Sequence, residues 1–108
     1  MTTINAKEVI GVERTPTKDG ELLGRCVLDR SLALDGLTVD VATLAPGDLV
    51  SSFVNAFLLV LETGGRSRAE IRQLSWKAKF ESERKRLEEF AALYLEDMQS
   101  TPLHAAVR

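Results

Sequence analysis

Ser51 and Ser52 stand together shortly after the turn residues Ala45-Pro46-Gly47 and at the head of a strongly apolar stretch. Two hydroxyls in the first turn of a helix can carry a phosphate, because the free N–H groups and the helix dipole there favour negative charge. The same pair also reads as ordinary helix-starting serines. A second group, Arg66, Arg68, Arg72, Lys77 and Lys79, belongs to residues 66–86, which hold eight basic and three acidic side chains. That asymmetry can mark an anion-binding face, for nucleic acid or an acidic partner. Against it, Lys77 and Lys79 suit the polar side of a strand, where lysine guards an edge. Arg84, Lys85 and Arg86 interleave with glutamates that can pair one turn away. No basic–aromatic stacking platform accompanies them. A solvated face is the stronger reading, and nucleic-acid binding is kept as the alternative.

The remaining chemistry is sparse. There is one cysteine, Cys26, and one histidine, His104, which make neither a zinc set nor a held Cys–His dyad. Gly64-Gly65 closes an apolar helix instead of opening one, and no Gly-Lys-Ser/Thr follows, so it is not a phosphate loop. Asp40 is a lone carboxylate on a strand. The chain is therefore expected to have no catalytic residue, metal or cofactor, and to be no enzyme.

These residues have to be placed by a single domain of 108 residues, 44% hydrophobic and 28% charged, with a net charge of −2. Ile4–Arg14 reads as a first strand, ended by Pro16. Thr17-Lys18-Asp19-Gly20 reads as a turn. Glu21–Leu34 follows a helical period through Leu23, Cys26, Val27, Arg30 and Leu34. Leu37–Leu44 alternates as a strand. Asp48 can cap a helix that runs to Thr63 and stops at Gly64-Gly65. Arg66–Glu70 reads as a charged loop. Residues 71–82 fit either a strand or part of a long C-terminal helix. The alternation of Leu74, Trp76, Ala78 and Phe80 favours the strand. Ser82 then caps a helix to about Met98, with a buried stripe of Leu87, Phe90, Ala91, Tyr94 and Met98. The expectation is an α/β fold, a small β-α-β-α-β-α domain over residues 1–98. Its sheet would be narrow, mostly parallel and three- to four-stranded, packed by helices. Residues 99–108 would form a flexible tail.

At this level the chain resembles STAS-like domains, small α/β modules related to anti-sigma-factor antagonists. The resemblance rests on Leu37-Thr38-Val39-Asp40-Val41, on the stretch from Leu49 to Leu58, and on Trp76-Lys77-Ala78-Lys79-Phe80-Glu81-Ser82 before a helix that starts rich in arginine. It implies an interaction module that works with a serine-kinase-like ATPase or another regulator. In classical members the strand ends in Asp-Ser-Ser-Gly or a close variant, and a serine there is phosphorylated. Ser51 and Ser52 match the serines, while Val50 and Phe53 replace the flanking Asp and Gly.

The helix over residues 48–63 is the fuller clue. Its apolar residues go most of the way round, wider than the stripe of a surface helix. Phe53, Phe57, Leu58 and Leu59 are the residues expected to meet a protein partner or a second copy of the chain. The single cysteine fits a reducing compartment. The N-terminus lacks a signal-peptide pattern, and no apolar run reaches the roughly 20 residues of a membrane span. A cytoplasmic regulatory or interaction module, without membrane contact, is the resulting expectation.

Overall fold

The computed structural model describes residues 2–10, 15–44, 47 and 49–107, with 97–107 as backbone only. Strand β1 is Thr2–Asn5. It was expected to run to Arg14, but Asn5 ends it. The Asn5 side chain accepts the Lys7 N–H at 3.0 Å and opens a single helical turn, α1 (Ala6–Val9). A side chain that satisfies nearby backbone N–H groups competes with the strand ladder in this way. Residues 11–14, where the strand was expected to continue, lie outside the described residues.

Helix α2 spans Pro16–Asp29 and starts earlier than Glu21. Thr15 caps it through its hydroxyl, which accepts the Lys18 N–H at 3.3 Å. Pro16 takes the first helical position, where its missing N–H has no intrahelical partner to lose. The Thr-Lys-Asp-Gly cluster is therefore helix, not turn. At the far end the Leu32 N–H reaches the Val27 carbonyl and the Ser31 N–H reaches that of Leu28. Ser31 adopts φ of 52° to allow it.

Strand β2 is Leu37–Asp40 and helix α3 is Ser51–Thr63. Asp48, expected to cap α3, lies outside the described residues. Val50 occupies the N-cap position, without a side-chain hydrogen bond. The expected loop at Arg66–Glu70 contains a short helix, α4 (Arg68–Ile71). Ser67 and Glu70 form a reciprocal capping box: the Ser67 N–H donates to the Glu70 carboxylate at 2.9 Å and the Glu70 N–H to the Ser67 hydroxyl at 3.1 Å. Those bonds hold the Glu70 carboxyl below its ordinary range. Strand β3 is Ser75–Lys77, shorter than the alternation suggested. Trp76 points inward, but Phe80 lies beyond the strand and is exposed, with the Lys79 ammonium 5.5 Å from its ring. Helix α5 is Glu81–Val107, described past Glu96 as backbone, so the Met98 side chain of the expected stripe lies outside the described residues.

The three strands lie in the order β1-β2-β3, all parallel. Ile4 pairs with Val39, and Val39 with Trp76, so these share one face with Leu37. That face is buried. The other carries Thr3, Thr38 and Ser75 in one row and Asn5, Asp40 and Lys77 in the next, all exposed or half-buried. Strands laid down in sequence order with right-handed crossovers put their helices on a single side. The result is a two-layer α/β domain with a three-stranded parallel sheet among the described residues.

Helix α3 is the centre of the helical layer, with α2 packed along one flank and α5 along the other. The approach of α2 depends on two glycines. A Cβ on Gly20 would overlap the Phe53 carbonyl oxygen, and one on Gly24 would sit 2.9 Å from the Val60 side chain. Beneath α3, Phe57 meets Trp76 edge-on, ring centroids 5.7 Å apart at 75°.

Candidate functional site

Past its first residue, Ser51, helix α3 is exposed along one narrow line. Ser52, Asn55, Leu59 and Thr63 are exposed at helical spacing, and the half-buried Val60 lies beside them. Phe53, Phe57 and Leu58 are completely buried. Of the four residues expected to meet a partner, these three are instead spent inside the domain. The breadth of the apolar surface is explained by the sheet below and a helix on either side. Leu59 alone remains available, 51% exposed in the middle of an otherwise polar line.

Around Leu59 the surface is concave. Toward the start of α3 a hollow of about 470 Å³ is floored by Ala56, Leu59 and Val60. Thr17 and Glu21 of α2, Ser52 and Asn55 of α3, and Tyr94 of α5 complete its wall. Toward the end of α3 a second hollow, about 320 Å³, is bounded by Arg25 and Leu28 of α2 and by Leu59, Val60, Thr63 and Gly64. Leu59 and Val60 are common to both. Helices α2 and α3 run side by side in the same direction, since Thr17 accompanies Ser52 at one end and Leu28 accompanies Gly64 at the other.

The flank toward α5 is polar and tied down. The Tyr94 hydroxyl donates to Glu62 at 3.2 Å, and the Arg68 guanidinium donates to the other oxygen of the same carboxylate at 3.1 Å. Burial first, and then the adjacent Glu62 charge and hydrogen bond, push the Tyr94 hydroxyl up to about 12. This seam joins α3, α4 and α5, and its Tyr94 lines the groove.

Ser51 and Ser52 are both exposed in the first turn of α3, and Ser52 lies on the groove wall. The five candidate anion-binding residues are dispersed in their roles. Arg68 is engaged by Glu62, Lys77 faces Asp40 at 4.0 Å, and Lys79 lies against Phe80. Arg72 borders a separate hollow of about 400 Å³ under α5, in company with Glu88 and Glu96. Arg66 is half-buried after the end of α3. Farther along, Arg84 pairs with Glu81 and with Glu88. Sequence reasoning missed Glu21, Arg25, Asn55 and Tyr94 as groove residues. The Gly20-x-x-x-Gly24 spacing was the available signal, because it brings α2 against α3 and so defines the groove.

Comparison with family models, with curated proteins and with solved structures returned no match. Among the described residues no helix is long and apolar enough to cross a membrane.

Proposed function

We propose that this domain is a non-enzymatic regulatory or protein-interaction module of the STAS-like kind, acting in a reducing cytoplasmic setting. Its contact surface is the groove along the outer line of α3. The observation that carries this reading is Leu59, half exposed between two concave, largely apolar hollows. Covering a leucine of this kind contributes on the order of 1 kcal/mol to association. The polar residues at the edge, Thr17, Ser52 and Asn55, supply the hydrogen-bonding rim that such interfaces carry. The nucleic-acid alternative draws less support, since Arg68 and Lys77 already face carboxylates. With one histidine and one cysteine, the chain also has little with which to build a nucleophilic site.

The reading is tested by affinity capture from the host with tagged wild-type and Leu59→Glu chains, their folding compared by thermal melting. Proteins retained by the wild type should be lost from the variant while the melting curve stays close to unchanged. An identical set of co-purifying proteins on both chains would sink it.

A further inference from the structure

We infer that the occupant of this groove is a second copy of the same chain, laid across the first with its α3 antiparallel. The inference rests on the reading of the groove as the contact surface and names what fills it. Two features point to a self-complementary fit. The first is shape. Leu59 and Val60 line two hollows, one toward each end of α3. A two-fold axis at the level of Leu59 sets this side chain against its own copy, with the hollow at the start of one α3 over the hollow at the end of the other. A two-fold pairing of this kind uses one patch twice and closes on itself.

The second feature is charge. Glu21 borders the hollow at the start of α3, and Arg25 borders the hollow at its end. They lie one helical turn apart on α2, and among the described residues neither is held in an ion pair. A two-fold axis running across the helices sets α2 over the other copy's α2 in the opposite direction. Each Glu21 then faces an Arg25, and the contact forms twice. An axis running along the helices would instead set α2 over α5 and lose both pairings. Opposite charges in register fix the orientation of an interface and penalise alternatives. Leu22, exposed beside these two residues on α2, extends the covered apolar area past the charges.

Sedimentation or light scattering of the untagged full chain tests this. A dimer is expected. Arg25→Glu alone and Glu21→Arg alone should each raise the dissociation constant by roughly tenfold, because each sets like charges opposite one another. The double exchange should restore it, and that recovery also shows that the single variants were folded. Leu59→Cys in a Cys26→Ala background should form a disulfide-linked dimer under mild oxidation. A wild-type chain that stays monomeric up to about 1 mM overturns the second-copy occupant. So does a dimer unaffected by Leu59→Glu, or a double exchange no tighter than its parents. If the chain is monomeric and Leu59→Glu still abolishes capture of a host protein, the groove reading survives and the occupant is a different protein. If the chain is monomeric and capture is unchanged, both fail.

Discussion

The inner and outer sides of α3 are made from similar residues and have opposite fates. Phe53, Phe57, Leu58 and Leu61 face the sheet and the flanking helices and have no accessible surface. Leu59, next to Leu58 in the chain, is half exposed. The difference is rotational: successive helix residues are turned by about 100°, so neighbours of equal hydrophobicity point to core and to solvent. A helix apolar nearly all round is thus no direct measure of partner surface. Here most of that character is consumed by burial on several sides, and the surplus narrows to one side chain in a groove.

The sharpest way to break this contrast is to remove an inner residue. Phe57→Ala takes away a fully buried ring and its edge-on contact with Trp76. Equilibrium denaturation should register a loss of about 3–5 kcal/mol. For a domain of 108 residues that is a large part of a total stability of about 5–15 kcal/mol. A loss below about 1 kcal/mol would mean that the inner side is not the core it is taken to be.

The α2 flank should respond next. Gly20→Ala places a methyl group against backbone, the Phe53 carbonyl oxygen, which no rotamer change can clear. Separation of the two helices should cost about 1–3 kcal/mol. Gly64→Ala is the matched control. The atoms in its way belong to the end of the Leu28 side chain, which can turn aside. The first variant should lower the melting temperature clearly and the second much less. Equal effects would show that the close approach of α2 is not what the glycine serves.

How far the fold could be read in advance follows the same division. Strand β2 and the body of α3 were legible because burial is written in their periodicity, as in Leu37, Val39 and Val41. The start of α2 differs from the expected Glu21 because Pro16 and Gly20 suit a strand end and a turn as well as a helix. Thr15-Pro16 is a cap followed by a first-turn proline, and that much was present in the sequence. Gly20, by contrast, is explained by α3 lying against it, a tertiary fact that its spacing to Gly24 signals without naming the partner helix. Helix α4 was readable from Ser67 and Glu70, whose spacing is that of a capping box. The site was half legible. The right helix was singled out, but Leu58 and Leu59 differ in phase and not in chemistry, so composition could not separate core from surface.

The polar seam between α3 and α5 offers a gentler probe. Tyr94 is raised to about 12, against an ordinary value near 10 in the unfolded chain. The folded state therefore keeps its proton where the unfolded state has lost it. The stability this group contributes is intact below about pH 10 and is lost as the pH rises toward 12. Denaturation curves through that window should fall more steeply for the wild type than for Tyr94→Phe. The chain has a single tyrosine, so tyrosinate absorbance reports this group alone. Glu62→Gln should bring its titration part of the way down, because burial, the larger cause, remains. No movement on Glu62→Gln would mean that the seam is not formed as described.

The smallest expected effect on folding carries the most weight for function. Leu59→Ser removes an apolar side chain whose surroundings within the domain are incomplete, so little packing is given up. Its cost in denaturation should stay within about 0.5 kcal/mol, the range of ordinary surface changes. The same substitution on the inner side, Leu58→Ser, would cost several times more, because it buries a hydroxyl among apolar neighbours in place of a filled site. The informative quantity is therefore the ratio of two losses for each variant, in stability and in association. If Leu59→Ser leaves folding intact and weakens association, the outer line of α3 is surface kept for contact. If it costs as much as Leu58→Ser in folding, Leu59 belongs to the core and the groove is closed in solution. If it costs nothing in either, Leu59 is an ordinary exposed leucine, and the two sides of α3 differ in burial alone.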